Sequence, residues 1–171
     1  EAWGTGFIVI FGVGSVCSAV TSGDLKGLWQ VAVVWGFGVG LAIYCTASVS
    51  GAHLNPAVSL ALAIWRSADF PRWKLGPYIF AQMFGSVVAA FINLAMFGEY
   101  FAKYDKANGV QRGDPGSVYS ARAFGEYFPN PGPFAAEWGD GTRDSGDMIE
   151  HPAHAFLVEA WGTFVLMFVI L

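Results

Sequence analysis

The chain has 171 residues, of which 54% are hydrophobic and 13% are charged, and its formal net charge is −4. Soluble domains carry about 25% charged residues, so this composition excludes an ordinary soluble domain and favours an integral membrane protein. The negative balance, without any basic run, argues against nucleic acid as a partner. Cys17 and Cys45 lie in apolar stretches at a spacing that matches no zinc or redox motif, and we expect neither a metal nor a cofactor.

Four apolar stretches are long enough to cross a bilayer, which takes about 20 residues of helix. They are predicted as spans at about 2–20, 28–49, 75–97 and 153–171. A shorter apolar segment, 55–65, lies between the second and the third span, and as a helix it would rise only about 16 Å. Because that is roughly half of the hydrocarbon thickness, we predict a re-entrant half-helix, whose polar backbone must face protein or a water-filled cavity.

The segment 98–152 differs from the rest of the chain, since it is rich in Gly, Pro and Asp and holds nine acidic against five basic residues. It is predicted as a long extramembrane loop. Basic residues beside the half-helix, namely Arg66, Arg72 and Lys74, outnumber the single lysine of the first loop. The positive-inside rule therefore places the half-helix side in the cytoplasm and the long loop on the opposite side. The membrane itself is either a plasma membrane or an organelle membrane.

The pentapeptide Glu-Ala-Trp-Gly-Thr occurs at 1–5 and again at 159–163, each time at the start of an apolar run. Three spans separate the two starts, so successive repeats insert with opposite orientation and place a functional site near the midplane. We therefore divide the chain into a first repeat, 1–97, the long loop, and the first span of a second repeat, 153–171. A chain end at Leu171 would leave a carboxylate in or near hydrocarbon, and we expect the second repeat to continue further.

Asn55, Pro56 and Ala57 open the predicted half-helix. Asn is a favoured N-cap, and Pro at the first helical position lacks the N–H that would go unsatisfied. The positive end of the helix dipole then points into the membrane interior, where it would repel cations and protons on a pore axis. A bare Asn-Pro-Ala is usually an ordinary helix cap, but its place before a half-length helix between two spans favours a pore.

The segment 50–57, Ser-Gly-Ala-His-Leu-Asn-Pro-Ala, resembles the first signature loop of the aquaporin and glycerol-facilitator family. The order of spans, half-helix, long loop and second Glu-bearing start is similar over the whole chain. The resemblance implies an all-α membrane bundle with inverted repeats, in which two half-helices meet at the midplane and their asparagines orient the permeating molecule. It also implies that carbonyls of Gly51, Ala52 and His53 form an acceptor ladder, and that protomers form homotetramers in the bilayer.

Trp35 lies twenty residues before Asn55, where the resemblance implies a side chain of the outer selectivity constriction. Trp at this place resembles glycerol facilitators rather than strict water channels, because an indole face offers an apolar wall to the carbon backbone of a polyol. The alternative is a packed or lipid-facing tryptophan. His53 likewise has two interpretations, a histidine satisfied within a loop or a residue of the cytoplasmic vestibule with a hypothetical role in pH response.

Glu1 and Glu159 are carboxylates within predicted spans, where charged residues are rare and usually functional or paired. The resemblance implies a scaffold role, in which each accepts hydrogen bonds from backbone N–H groups of a re-entrant loop. The alternative is a proton-relay pair in an ion-coupled transporter. Gln82, in the third span, is interpreted as an interhelical hydrogen-bond partner.

The predicted function is a passive channel for water and for glycerol or similar polyols, and not an enzyme. A second class of function is a structural or interaction subunit that keeps the channel scaffold without conducting. In that case the acidic loop 98–152 would be its partner surface.

Overall fold

The computed structural model describes residues 1–23, 25, 27–125 and 152–170. The regular secondary structure in these ranges is helical and contains no strand, which confirms the predicted all-α class. The α-helices are α1 (Ala2–Thr21), α2 (Leu28–Ser50), α3 (Pro56–Trp65), α4 (Leu75–Ala107), α5 (Val118–Ala121) and α6 (Pro152–Ile170). Short 3-10 helices lie at Arg72–Lys74 and Pro115–Ser117.

The helices α1, α2, α4 and α6 are long and apolar enough to cross a membrane, whereas α3 has only 10 residues. Large apolar side chains point outward from these helices, as in a protein whose surface faces lipid. Phe37 and Tyr44 of α2 are 78% and 89% exposed, and Phe91 of α4 is 66% exposed. The interior, by contrast, consists mostly of small and polar residues.

Helix α1 packs against both α2 and α4, and glycines allow the close approach. A Cβ atom on Gly85 of α4 would overlap the backbone carbonyl of Ala2, and one on Gly12 of α1 would overlap the indole of Trp35. Small residues at helix contacts are the usual means of tight packing in membranes, where no hydrophobic force drives helices together. The first residues of α1 are therefore held directly against α4.

Helix α4 continues to Ala107 rather than ending near Phe97 as predicted. Phe101 is 2% exposed and packs with Cys17 of α1 and with Ala123, so the last turns of α4 have an apolar contact of their own. The prediction followed the apolar run and stopped just before the exposed Glu99. The remainder of the predicted loop, residues 126–151, lies outside the described residues.

Candidate functional site

Residues 50–55 connect α2 to α3 and are called the re-entrant loop below. Gly51 ends α2 with a left-handed φ of 84° and donates its N–H to the Ala47 carbonyl. Ala52 and Leu54 also have left-handed φ values, of 50° and 52°. Each such non-glycine residue costs about 1–3 kcal/mol and persists only where its surroundings determine the conformation, so other groups must hold this loop in place.

The carboxylate of Glu1 supplies most of that support. Its Oε1 accepts hydrogen bonds from Ser50 Oγ at 2.6 Å and from the His53 backbone N–H at 3.1 Å. Its Oε2 accepts from the Leu54 backbone N–H at 2.8 Å and from Gln82 Nε2 at 2.7 Å. Four donors fill the acceptor positions of one carboxylate, and bonds to an ionised acceptor are the stronger kind. Glu1 thus ties the start of α1 to α2, to the loop and to α4.

The backbone carbonyls of the loop are used differently from its amides. Ser50 O accepts a hydrogen bond from the Tyr78 hydroxyl at 2.8 Å. No hydrogen bond between described residues uses the carbonyl oxygens of Gly51, Ala52 or His53, and none of these three residues is buried. Three consecutive carbonyls can therefore accept hydrogen bonds from a small polar solute.

Asn55 caps the N-terminus of α3. Its Oδ1 accepts the Ala57 N–H at 2.8 Å, its backbone carbonyl accepts the Ser59 N–H at 3.1 Å, and Pro56 occupies the first helical turn. The cap uses the side-chain oxygen, and no hydrogen bond between described residues uses Nδ2. The cap therefore fixes the amide with its NH2 group as a remaining donor.

His53 lies in a cluster of aromatic rings between the loop and α4. Its ring centroid is 4.5 Å from that of Phe70 and 5.0 Å from that of Tyr78, and its Nδ1 is 3.1 Å from Ser59 Oγ. Burial lowers the pKa of the imidazole below its usual range, while the negative charge of Glu1 acts in the opposite direction. The net effect favours the neutral ring.

A cavity of about 340 Å³ opens on this side of the loop, and it is called the loop-side cavity below. Its lining includes Gly51 and His53 of the loop, together with the charged residues Arg66, Asp69 and Lys74. The cavity is therefore lined both by loop residues whose carbonyls have no hydrogen-bond partner among described residues and by basic residues from which the orientation was predicted.

Trp35 is placed apart from the loop. Fifteen residues of α2 separate it from Ser50, roughly 22 Å along the helix axis. The half-buried indole lies over Gly12 of α1, so it packs within the bundle instead of projecting freely toward lipid. The structure brings Gly51, Ala52, His53 and Asn55 together, and it leaves Trp35 at a separate level of the bundle.

Glu159 is exposed on α6 and borders a second cavity of about 880 Å³, which Trp65 of α3 also lines. No residue of α6 is buried, and Glu159 makes no hydrogen bond to another described residue. The two glutamates of the repeated pentapeptide thus have different surroundings. Glu1 contacts a re-entrant loop, and Glu159 contacts none within the described part of the chain.

Two residues of the site, Ser59 and Tyr78, come from the structure rather than from the sequence, and so do the partners of Gln82. Gln82 bonds to Glu1 and, at 2.9 Å, to Ser59 Oγ, as expected for an interhelical partner. Its Oε1 is buried without a hydrogen-bond partner among described residues, which costs about 1–3 kcal/mol. Ser59 follows Asn55 by one helical turn, and that spacing could have identified it as a residue near the loop. No feature of the sequence around Tyr78 indicates its contact with the loop.

Comparisons with known proteins agree with this architecture. The family model described as major intrinsic protein matches residues 1–171. A glycerol uptake facilitator protein of Haemophilus influenzae is 41% identical over 143 residues, covering 81% of this chain and 53% of that protein. A glycerol uptake facilitator protein of Pseudomonas aeruginosa is 37% identical over 171 residues, covering 100% of this chain and 54% of that protein.

A propanediol uptake facilitator of Citrobacter freundii is 39% identical over 127 residues, covering 74% of this chain and 46% of that protein. The chain spans about half the length of the curated relatives it matches. With four apolar helices among the described residues long enough to span a bilayer, and a family match over its whole length, this chain is an integral membrane protein that belongs to the major intrinsic protein family.

Proposed function

We propose that this chain builds part of a passive transmembrane channel for small uncharged solutes, namely water and glycerol or similar polyols. One observation carries the proposal: Glu1 binds the amides of the re-entrant loop, while the carbonyls of Gly51, Ala52 and His53 have no partner among described residues. The names of the relatives, which are uptake facilitators for glycerol and propanediol, supply the class of permeant.

A solute hydroxyl both donates and accepts hydrogen bonds, and the loop offers both partners. The hydroxyl donates to one of the three carbonyls in turn, and near the end of the loop it accepts from Asn55 Nδ2. These exchanges replace the bonds that the solute loses when it leaves bulk water, so a neutral polyol crosses at low cost.

Cations and protons meet a different environment. The N-terminus of α3, which begins after Asn55, carries the positive end of the helix dipole. A positive charge at this point of a narrow pore is repelled, which is one of the known means of excluding protons and cations. Exclusion of ions with passage of neutral solutes is the behaviour we propose for this segment.

Trp35 is proposed as an apolar wall of an outer constriction. Its ring is held against Gly12 of α1, so the indole has a fixed position within the bundle. An aromatic face suits the carbon backbone of a polyol, and this favours glycerol over a channel restricted to water.

Orientation and assembly are part of the same proposal. We propose that the loop-side cavity is the cytoplasmic mouth, because Arg66, Arg72 and Lys74 favour that side under the positive-inside rule. The exposed apolar faces of the helices are proposed to contact lipid and neighbouring protomers of a homotetramer.

An ion-coupled mechanism through Glu1 is less well supported, because all four acceptor positions of its carboxylate are occupied by donors of the scaffold. Such a carboxylate holds the loop and has no position left for a transported proton. Glu159, the second carboxylate of that mechanism, has no hydrogen-bond partner among described residues. We therefore assign Glu1 a supporting role.

The proposal is tested by stopped-flow light scattering on proteoliposomes that contain the protein expressed from its complete coding sequence. We expect glycerol to enter faster than in empty vesicles, at a rate that a proton gradient does not change. Glycerol entry equal to that of empty vesicles would favour a non-conducting structural subunit. Entry that depends on a proton gradient would favour an ion-coupled transporter.

A further inference from the structure

A buried series of hydrogen bonds leads from Glu1 to the imidazole of His53. Gln82 Nε2 donates to Glu1 Oε2 at 2.7 Å and to Ser59 Oγ at 2.9 Å. Ser59 Oγ in turn lies 3.1 Å from His53 Nδ1. Gln82 and Ser59 are 1% and 0% exposed, so water does not compete for these groups. Neither residue lines the loop-side cavity, and packing alone does not require two polar side chains here.

The direction of each bond follows from the chemistry of the groups. An amide nitrogen only donates, and a reversed Gln82 amide would place its oxygen against the Glu1 carboxylate. Ser59 Oγ therefore accepts from Gln82 and keeps one proton to donate. Within the described part of the chain, the other polar group hydrogen-bonded to this hydroxyl is His53 Nδ1. The remaining proton of the hydroxyl can be donated to Nδ1, which then is the acceptor.

A neutral imidazole that accepts at Nδ1 carries its proton on Nε2. Burial of His53 favours this neutral form. The Nε2 atom lies beside Gly51, 3.6 Å from the position that a Cβ atom of Gly51 would occupy. Both residues line the loop-side cavity, so the Nε2–H belongs to the same cavity wall as Gly51, whose carbonyl has no hydrogen-bond partner among described residues.

We infer that Gln82 and Ser59 are positioning residues that fix the Nε2–H tautomer of His53, and that this N–H donates a hydrogen bond to hydroxyl-bearing solutes at the inner mouth. The inference rests on the proposed function. It adds a donor next to the carbonyl acceptors, so a hydroxyl entering from the loop-side cavity accepts from His53 while it donates to Gly51. Bonds in such a series strengthen one another, which makes the N–H of His53 a better donor.

The tautomer is measured by 15N NMR on protein labelled at the histidine ring nitrogens and reconstituted in lipid nanodiscs. The His53 signals are identified by their loss in His53→Gln. We expect a protonated Nε2 and an unprotonated Nδ1 in the parent protein. A parent protein with the proton on Nδ1 would overturn the inference, whether or not the protein conducts glycerol.

Ser59→Ala removes the donor to Nδ1, and Gln82→Met removes the amide at similar length. Both are expected to shift His53 towards the Nδ1–H form and to lower the ratio of glycerol to water permeability by about three- to tenfold, the effect of one hydrogen bond. Ser86→Ala is the matched control, since Ser86 Oγ donates to the backbone carbonyl of Gln82 and makes no other hydrogen bond to a described residue. Two variants are used so that a folding defect in one leaves the other informative.

The outcomes separate the inference from the proposed function. A conducting parent protein whose Ser59→Ala and Gln82→Met variants keep the parent tautomer would overturn the positioning role and leave the channel proposal intact. A shifted tautomer with an unchanged permeability ratio would overturn the donor role of Nε2. A parent protein that conducts no glycerol would contradict the proposed function, and the NMR result would then still decide how the tautomer is set.

Discussion

Oε2 of Glu1 lies 2.8 Å from the backbone nitrogen of Leu54, a residue whose φ of 52° falls in the left-handed region. The charge-assisted bond offsets the cost of that conformation. A residue at the start of the first span therefore determines the backbone of a loop that follows the second span. This relationship links the fold of the bundle to the proposed function of the loop.

Glu1→Gln tests this support. The substituted amide keeps the size of the side chain, but its nitrogen cannot accept from two of the four donors now bound to the carboxylate. Each donor left unpaired in the interior costs about 1–3 kcal/mol, so we expect a clear fall in thermal stability and in glycerol permeability. Circular dichroism melting of the purified protein in detergent measures the first effect.

The control for that experiment is Glu99→Gln, because Glu99 is exposed on α4. Its melting curve is expected to match the parent protein. If Glu1→Gln melted at the same temperature as this control, the carboxylate would not be supporting the loop.

Gly51 provides a test of the backbone conformation. At a φ of 84°, an alanine is disfavoured by about 1–2 kcal/mol, and Gly51→Ala should destabilise the protein by that amount. The same change at Gly98, inside α4 with no neighbouring atom near the added Cβ, should stabilise the helix by about 0.5–1 kcal/mol. Chemical or thermal unfolding of the two variants measures the difference, and equal effects of the same sign would argue against the left-handed loop.

His53 should make stability depend on pH. Its pKa is lowered in the folded protein because burial disfavours the charged ring, while the unfolded value is about 6.5. The unfolded state then binds more protons as the pH falls below about 6.5, so this residue lowers stability on acidification and has no such effect above that value. The charged or titratable groups that surround it are Glu1, Arg66, Asp69, Lys74 and Tyr78.

Melting temperatures at about pH 7.5 and pH 5.5, on either side of that unfolded value, measure the effect. His53→Gln is expected to lose part of the difference between the two conditions. A His53→Gln variant with the pH dependence of the parent protein would show that the imidazole is not responsible.

Much of this architecture follows from the sequence, because local rules govern it. The apolar lengths predict the spans, and the half-length of 55–65 requires a segment that does not cross. Asn followed by Pro predicts the cap at Asn55, and the structure has that cap at 2.8 Å from the Ala57 nitrogen. The family resemblance of 50–57 is confirmed by a match over the whole chain.

Other features depend on which helices pack against each other, and the local sequence pattern does not predict helix packing. The left-handed conformations of Ala52 and Leu54 are not favoured by their residue types. They accompany the hydrogen bonds that Glu1 accepts from the backbone N–H groups of His53 and Leu54. The bond from Tyr78 to Ser50 depends on the packing of α4 beside the loop. The extra turns of α4 beyond Phe97 depend on the contact between Phe101 and Cys17, which only the folded chain creates.

The central claim, that the segment 50–57 carries solute through the membrane, is tested most directly by glycerol permeability of Asn55→Asp beside the parent protein. Aspartate keeps the oxygen that caps α3, but it removes the Nδ2 donor and places a negative charge at the positive end of the helix. In stopped-flow measurements on matched proteoliposomes, we predict glycerol entry well above empty vesicles for the parent protein. For the folded variant we predict at least about a tenfold loss, equivalent to about 1.4 kcal/mol. A variant that conducts glycerol as fast as the parent protein would contradict the account.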